Sequence, residues 1–318
     1  MQTACMIDNR LRVLQLVAKH GTVTAAAQAL HYTPSAVSYQ LRQLAAELGV
    51  ELVVPQGRRI RLTSAARALL QHAELLFAQW ERAQADLAAL ADEPGGSFTL
   101  CGFSTAATHL LPPAAAELRD SFPNLRVRLI EAEPARCFDL LLAGDADLAL
   151  VIVTADTPPL SDSRFDQLPL LDDPLDLVTP AGHPLAARPV VTLADAANES
   201  WIVGRPDSTY HHLVITACMA AGFSPDIAHY ADEWDTGTAM VAHGFGVILV
   251  PRLARLHRDW PVARIRLHGE PAPARRILAV TRSGGRDNRT IARAHEAITK
   301  TAAGILPVAP VPEANSPL

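Results

Sequence analysis

Residues 62–93 contain neither glycine nor proline, and apolar side chains recur along them at alternating steps of four and three. The recurring residues are Leu62, Ala66, Leu69, Ala73, Leu76, Trp80, Ala83, Leu87 and Leu90. This spacing is an a/d repeat that continues for more than four heptads, and it predicts one continuous helix. At 1.5 Å per residue, such a helix is roughly 48 Å long.

A helix of that length with one narrow apolar stripe needs something to cover the stripe. Residues 62–93 lie between two halves of the chain whose patterns differ, so we expect a partner helix from a second copy, and therefore a dimer. The alternative is an ordinary amphipathic helix that packs against the core of its own chain.

Three short helices are predicted before the long one. Asp8 can cap a helix over 8–20 that ends at Gly21, and Thr22 or Thr24 can cap a second helix, "AAAQAL". Thr33 precedes a third helix with Pro34 in its first turn. Its apolar residues are Val37, Leu41, Leu44 and Leu48, and Gly49 ends it. Two short helices joined by a few residues, the second with a polar outer face, are typical of a helix-turn-helix.

The segment "VELVVPQGRRIRLTS" follows the third helix and predicts a small β-hairpin. Pro55, Gln56 and Gly57 form its turn. Arg58, Arg59 and Arg61 lie on or beside it, so the hairpin resembles a basic wing.

Charge is distributed unevenly along the chain. Residues 1–61 hold seven lysines and arginines against three carboxylates, a net charge of +4, whereas the whole chain has a net charge of -5 and the remainder therefore −9. A basic N-terminal part joined to an acidic body is expected of a DNA-binding domain attached to another function. Chance scatter of charges is the alternative.

After the linker "DEPGGS" (92–97), strand and helix patterns alternate. "FTLCGF", "LRVRLIEA" and "ADLALVIV" predict strands separated by helices, which indicates a doubly wound α/β unit with a mostly parallel sheet. A second such unit starts near Leu170. The final strand and helix resemble the first unit, so we expect chain crossovers near 167–170 and 268–275.

The composition, 49% hydrophobic over 318 residues, is that of a globular protein with two or three domains. No apolar run approaches the ~18 residues of a membrane helix, and the N-terminus lacks the features of a secretory signal. The four cysteines are scattered without metal-binding spacing. We therefore expect a cytoplasmic protein with no membrane association.

Several motifs together resemble the LysR-type transcriptional regulators. The N-terminal signature is "AAAQALHYTPSAVSYQLRQLAAELGVEL" followed by "RRIRLTSAARALL". Weaker similarities are "LLP" (110–112), "LLLAGDADLAL" (140–150) and "MVAHGFGVILVP" (240–251). The chain departs from the family pattern at Ala45, at Ala66 and in "LVVP", where Pro55 replaces an arginine. That last change removes one expected phosphate contact.

The resemblance implies an α+β multidomain fold: an N-terminal winged helix-turn-helix, a long dimerisation linker helix, and a C-terminal two-subdomain α/β effector domain like the periplasmic binding proteins. We assign residues 1–62 to the DNA-binding domain, 63–93 to the linker helix, 97–168 and 272–303 to effector subdomain I, 169–271 to subdomain II, and 306–318 to a disordered tail.

The third helix is the expected reading element. Its first turns should enter the major groove, with hydroxyls and one guanidinium directed at bases and phosphates, and the wing should add salt-sensitive affinity. The expected DNA-binding residues are Thr33, Ser35, Ser38, Tyr39, Arg42, Arg58 and Arg59. In the alternative interpretation, Thr33 and Ser35 only cap the helix and the arginines are solvated surface.

Effector contacts are expected where strands lead into helices, because ligands of two-lobed α/β domains bind beyond the carboxyl ends of strands. The expected residues are Ser104, Thr105, Glu131, Glu133, Gly204, Arg205, Ser208 and Thr209. By family analogy their loops line the cleft. Alternatively, each hydroxyl is only a helix cap, and Arg205 pairs with Asp207 or Glu199 rather than with a ligand carboxylate.

Metal and redox sites are not expected. Histidines 211, 212, 229 and 243 show no helical i, i+4 pair. Cys101, Cys137 and Cys218 lie in predicted strand and helix interiors with no close resolving partner evident, so we expect inert buried thiols.

The leading hypothesis is a bacterial transcription regulator that is not an enzyme and has no cofactor. The resemblance implies the partners: double-stranded promoter DNA, a small-molecule effector, RNA polymerase, and further copies of the chain in a homodimer and then a homotetramer. The alternative is a cytoplasmic small-molecule binding protein or enzyme with a helical dimerisation domain. That alternative leaves the basic wing and the hydroxyl-rich helix unexplained.

Overall fold

The computed structural model describes residues 7–57, 59–90, 94–269 and 272–305. Arg58, residues 91–93 of the linker and the expected tail 306–318 lie outside the described residues. The chain divides into two compact units. Unit 1 comprises the chain up to Pro169 together with Leu278–Thr301, and unit 2 comprises Leu170–Ile277. No helix in the described part of the chain is long and apolar enough to cross a lipid bilayer.

The first part of unit 1 is helical with one hairpin. Its elements are α1 (Asn9–His20), α2 (Val23–Ala29), α3 (Pro34–Leu48), β1 (Val53–Gln56), β2 (Arg59–Leu62) and α4 (Ser64–Leu90). These elements confirm the predicted helix-turn-helix, hairpin and long helix.

Capping residues determine where the short helices begin and end. The side chains of Asp8, Thr22 and Thr33 accept backbone N–H groups at the starts of α1, α2 and α3. Thr22, rather than Thr24, therefore caps α2. Gly21 and Gly49 end α1 and α3 with φ near 67°, a left-handed conformation that glycine adopts without steric cost.

The following elements are strands and helices that continue through the described part of both units. They are β3 (Gly96–Gly102), α5 (Ser104–His109), α6 (Leu111–Ser121), β4 (Leu125–Glu131), α7 (Pro134–Ala143), β5 (Leu148–Ile152), β6 (Phe165–Pro180), β7 (Val191–Thr192), β8 (Ser200–Val203), α8 (Thr209–Ala220), β9 (Asp226–Tyr230), α9 (Trp234–Ala242), β10 (Ile248–Pro251), β11 (Val262–Ile265), β12 (Leu267–His268), β13 (Ala274–Arg282) and α10 (Arg289–Ile305). Short 3-10 helices occur at Pro184–Ala187 and Leu193–Ala196.

The sheet of unit 1 has the order β13-β5-β3-β4. Strand β3 runs parallel to both β4 and β5, and Gly102 lies opposite Glu131 in the register with β4. Unit 2 contains the antiparallel pairs β10–β6 and β11–β6 and the parallel pairs β8–β9 and β12–β7. The short strands β7, β9, β11 and β12 were not predicted from the sequence, because two to five residues carry too little periodic signal.

Helix α4 begins at Ser64, two residues later than expected, and its apolar residues are divided between two faces. Ala66, Leu70, Ala73 and Phe77 are buried within the chain. Leu76, Leu87 and Leu90, which belong to the predicted seam, are 54%, 63% and 83% exposed. At 100° per residue the two faces lie roughly 100° apart. The expectation of one seam facing a partner was therefore wrong for Ala66 and Ala73, which pack against the chain's own core.

One hydrophobic cluster connects the N-terminal helices of unit 1 to one side of its sheet. It joins buried residues of α1–α4 with those of β3, α7, β5 and β13. The helix-turn-helix elements and the α/β elements of unit 1 are thus packed together rather than separated by solvent. The buried ion pair of Glu81 and Arg282 also joins α4 to the end of β13.

Candidate functional site

Helix α3 has opposite polar and apolar faces. Val37, Leu41 and Leu44 are buried. Ser35, Tyr39 and Arg42 are exposed, and their spacing of four and three residues places them on one face, roughly 160° from the apolar face. Ser38 lies at the border and is half-buried. The apolar side holds the helix on the core, and its polar side is available to another molecule.

The first turn of α3 is organised by a hydroxyl pair. Thr33 Oγ1 accepts the backbone N–H of Ala36 at 3.2 Å, and the hydroxyls of Thr33 and Ser35 are 3.0 Å apart. The sequence left open whether Thr33 caps the helix or faces a ligand. It is a cap, and it is also exposed at the helix start. The positive end of the helix dipole at this first turn favours an anion such as a phosphate.

Two further polar residues beside this face were not among the sequence candidates. Gln43 is exposed and donates from Nε2 to the Tyr39 hydroxyl at 2.6 Å. Tyr32, immediately before Thr33, is 40% exposed. The spacing of four residues between Tyr39 and Gln43 is the signal in the sequence that indicates the first of these.

The hairpin presents its arginines on one face. Gln56 pairs with Arg59 and Val54 with Arg61 in the antiparallel register, and both arginines are exposed. A hydrogen bond of 2.9 Å from the Ile60 N–H to the Gly21 carbonyl attaches the hairpin to the α1–α2 connection. The remaining wing candidate, Arg58, lies outside the described residues.

Not every basic residue of this part of the chain is available to DNA. Arg10 forms ion pairs with Asp8 and with Glu47, the latter at 2.7 Å. The hydrogen bond from Arg10 lowers the pKa of the Asp8 carboxyl, despite an opposing effect of partial burial. Arg10 therefore links the start of α1 to the end of α3.

In unit 1, the ligand-binding candidates lie at the carboxyl ends of β3 and β4. The Ala132 N–H donates to the Gly102 carbonyl at 2.9 Å, which brings the end of β4 beside the end of β3. Ser104 and Thr105 therefore lie near Glu131 and Glu133, as expected for adjacent parallel strands. Thr105 is buried, whereas Glu131 and Glu133 are exposed, and the Glu133 side chain does not cap α7.

In unit 2, the loop Gly204–Thr209 is closed by its own contacts. Ser208 caps α8 by accepting the His211 N–H at 3.0 Å. A Cβ on Gly204 would lie 2.4 Å from Ser208 Oγ, so any other residue there would displace the hydroxyl that caps α8. Arg205 pairs with Asp232, Nε to Oδ2 at 2.6 Å, and remains 70% exposed. The sequence suggested Asp207 or Glu199 as the partner of Arg205, and neither of them is.

The buried thiols correct one expectation. Cys101 and Cys137 belong to the same buried cluster, although no close partner was evident from the sequence. The neighbouring Cys137 thiol and burial raise the pKa of Cys101 well above its usual range, and burial raises the pKa of Cys218 to about 12. All three thiols are free and buried. Among the described residues, no group of three or more histidine, cysteine or acidic residues is arranged to hold a metal ion.

Comparison with known families and proteins agrees with this architecture. Residues 9–67 match the bacterial regulatory helix-turn-helix protein model of the lysR family, and residues 91–303 match the LysR substrate binding domain. The transcriptional regulator CysB of Burkholderia cenocepacia is 30% identical over 76% of this chain and 76% of its own length. The regulator AlsR of Bacillus subtilis is 29% identical over 72% of this chain and 75% of its own length.

Solved structures show the same fold. A full-length OxyR variant from Pseudomonas aeruginosa aligns with a TM-score of 0.63 at 20% identity, covering 93% of this chain and 95% of that one. Full-length BenM aligns with a TM-score of 0.58 at 21% identity, covering 94% and 97%. With an N-terminal helix-turn-helix whose polar helix face is exposed and a C-terminal substrate-binding domain, the chain belongs to the LysR family of DNA-binding transcriptional regulators, whose promoter binding is modulated by a small-molecule effector.

Proposed function

We propose that the exposed face of α3 reads the promoter in the major groove. Ser35, Tyr39 and Arg42 contact base edges and phosphates from the middle of that face, and Thr33 and Ser38 contact them from its start and border. Arg58 and Arg59 of the wing contact the backbone and make binding salt-sensitive. The observation that carries this proposal is the polar, exposed side of a helix whose opposite side is fixed by Val37, Leu41 and Leu44.

We further propose that the chain acts as a homodimer and that two dimers form a homotetramer. The exposed leucines of α4 support this, because Leu76, Leu87 and Leu90 form an apolar stripe that the described part of the chain leaves uncovered. A dimer presents two copies of α3 to a partly palindromic site, and the spacing of the half-sites follows from the protein's symmetry.

The small-molecule effector is proposed to contact the strand-end loops. The candidates in unit 1 are Ser104, Thr105, Glu131 and Glu133, and those in unit 2 are Gly204, Arg205, Ser208 and Thr209. Arg205 binds a ligand carboxylate only in competition with Asp232, so ligand binding there exchanges one ion pair for another. Gly204 and Ser208 contribute by shaping the loop.

Regulation follows from differential binding. An effector that binds one arrangement of the oligomer more tightly than another shifts the population towards that arrangement. The placement of the reading helices then changes, and with it DNA bending and the contact with RNA polymerase. We place this activity in the cytoplasm.

The first experiment is a footprint of the purified full-length chain on the DNA upstream of its own gene, beside a Ser38→Ala, Arg42→Ala double variant. We expect protection of two or more helically phased sites by the native chain and its loss in the variant. A matched control is Ser161→Ala, Arg258→Ala, which removes the same two side-chain types from exposed positions outside the helix-turn-helix and should leave the footprint unchanged.

Two outcomes contradict the proposed reading face. One is protection that persists in the Ser38→Ala, Arg42→Ala variant. The other is equal loss of protection in the control variant. If the native chain protects no sequence upstream of its gene even at low salt, selection from random DNA follows, and failure there removes the promoter-reading proposal.

A further inference from the structure

Helix α7 is buried on more than one side. Six consecutive residues, Cys137 to Leu142, are buried, and one of them is the charged Asp139 at 6% exposure. An amphipathic helix on a sheet buries only one stripe, so a second structure must cover the other side of α7. Within unit 1, that second structure is α1 of the helix-turn-helix.

The side of α7 towards the sheet is apolar. The Cys137 thiol donates to the Ala132 carbonyl at 3.3 Å, and Cys137 shares a buried apolar cluster with Cys101 of β3. The rings of Phe138 and Phe165 pack edge-to-face with their centroids 5.0 Å apart. These contacts hold α7 on its own subdomain.

The side of α7 towards the helix-turn-helix is ionic. Asp139 Oδ1 lies 2.7 Å from Lys19 Nζ and 3.0 Å from His20 Nε2, both at the end of α1. Arg12 Nη1 donates at 2.8 Å to the Leu142 carbonyl in the last turn of α7, where helix carbonyls have no partner within the helix. The same guanidinium lies 4.6 Å from the Phe77 ring centroid. Separating α1 from α7 would leave the buried Asp139 carboxylate without its cationic partner, so these contacts favour one arrangement of α1 on α7.

Arg136 contacts the turn before the reading helix. Its Nη1 donates to the Ala29 carbonyl, and its Nη2 lies 2.7 Å from His31 Nε2. His31 has φ of 55°, and it is the one described non-glycine residue with a positive φ. For a residue other than glycine, a positive φ costs free energy. The residue keeps that conformation only when surrounding contacts hold it there. Arg136 supplies such a contact two residues before the cap Thr33.

We infer that α7 is an intrachain clamp on the helix-turn-helix, in which Arg136 and Asp139 are positioning residues for the reading helix. The clamp leaves the face of Ser35, Tyr39 and Arg42 exposed, so it orients that face without covering it. Helix α7 begins one residue after Glu133, and Arg136 lies about 4.5 Å beyond Glu133 along the helix axis. This places the loop Glu131–Glu133 one helical turn from the contact with His31.

The connection of this loop to an effector rests on the proposed function, whereas the clamp itself does not. The test therefore has one arm without DNA and one arm with DNA. The variants are Arg136→Gln, His31→Ala and their combination, all in the full-length chain. Arg258→Gln, an exposed arginine of unit 2, is the matched control. Circular dichroism and thermal unfolding establish that each variant is folded.

The arm without DNA measures amide hydrogen exchange. We expect Arg136→Gln to accelerate exchange at residues 28–33 at least threefold, with no change in Arg258→Gln. Arg136 and His31 share one contact, while Arg136 also donates to the Ala29 carbonyl. The double variant should therefore exchange more slowly than the product of the two single effects would give. Unchanged exchange in Arg136→Gln, or single effects that multiply in full in the double variant, overturns the clamp.

The arm with DNA separates positioning from stability. The DNA carries two half-sites obtained by selection, at one spacing or at a spacing changed by one base pair. We expect the native chain to bind one of these spacings more tightly. Arg136→Gln should reduce that preference at least threefold and should bind a single half-site with unchanged affinity. Arg136→Lys, which keeps one donor, should restore part of the preference. An unchanged preference in a folded Arg136→Gln variant overturns the positioning role. If the native chain binds no DNA, the proposed function fails, and the exchange arm still decides the clamp.

Discussion

The carboxylate of Asp173 and the guanidinium of Arg275 form an ion pair, Oδ2 to Nη2 at 2.8 Å, with side-chain exposures of 0% and 3%. Asp173 also accepts the Leu253 N–H at 3.0 Å and the Arg275 Nε–H at 2.9 Å. These donors offset part of the cost of burying the carboxylate, and burial still raises the pKa of Asp173. The pair joins β6 to β13 within unit 2.

Removing one partner of this pair should destabilise the chain strongly. We expect Asp173→Ala to lower the free energy of unfolding by about 3–5 kcal/mol, because it leaves the Arg275 charge buried and unpaired. Urea unfolding followed by circular dichroism measures the loss. The double variant Asp173→Leu, Arg275→Met should be less destabilised than Asp173→Ala. A double variant that loses at least as much stability as the single variant would contradict this account.

The cap of the reading helix can be separated from its proposed contacts. Thr33→Ala should lower the free energy of unfolding by about 1 kcal/mol, because the Ala36 N–H loses its acceptor, whereas Thr33→Ser should retain most of it. Ser161→Ala is the control, since Ser161 is exposed and lies outside the helix-turn-helix. Urea unfolding of the full-length variants gives the comparison. Equal stability of Thr33→Ala and the native chain would show that the hydrogen bond is not a stabilising cap.

The exposed stripe of α4 predicts a change in oligomeric state without loss of folding. Leu76→Glu, Leu87→Glu places two charges at positions that the chain itself leaves 54% and 63% exposed. We expect the native chain to be dimeric or larger and this variant to be shifted towards monomer at least tenfold in dissociation constant, with an unchanged circular dichroism spectrum. Analytical ultracentrifugation measures the shift.

Gln71→Glu controls for added charge on another exposed side of the same helix. It should leave the oligomeric state unchanged. An unaltered sedimentation profile of the leucine variant would locate the interface elsewhere.

The buried thiols should react slowly. A thiol whose pKa is about 12, as burial sets it for Cys218, is ionised to about one part in ten thousand at pH 8. The raised pKa keeps Cys101 protonated as well. In a Cys5→Ser variant, the remaining cysteines should therefore react with a disulfide reagent at least a hundredfold more slowly than free cysteine, and rapidly after unfolding in urea. Fast reaction of the folded Cys5→Ser variant would contradict the burial of these thiols.

Local chemistry in the sequence predicted most of the DNA-binding part of unit 1. The caps Asp8 and Thr33 and the stop signals Gly21 and Gly49 act within one helical turn, so their effects are legible from neighbouring residues. The alternation of strands and helices likewise predicted the α/β elements. Very short strands were missed because pairing with a distant segment, not local pattern, stabilises them.

The candidate ligand loops were predicted in position but not in their contacts. Ser104 and Glu131 could be placed at one sheet edge because parallel strands end together. The pairing of Arg205 with Asp232 could not be predicted, because the two residues are separated in sequence and other acidic residues were equally plausible partners.

By itself, the sequence determined the family, the order of the helices and strands, and which side of α3 is polar, since periodicity and capping are properties of neighbouring residues. Tertiary structure decided which face of α4 is buried and that Arg136 meets His31. It also decided that Asp139 becomes a buried partner of Lys19. These outcomes depend on contacts between segments far apart in the chain. Burial and charge pairing arise only when packing removes both segments from water, and no local pattern specifies which distant surface will do so.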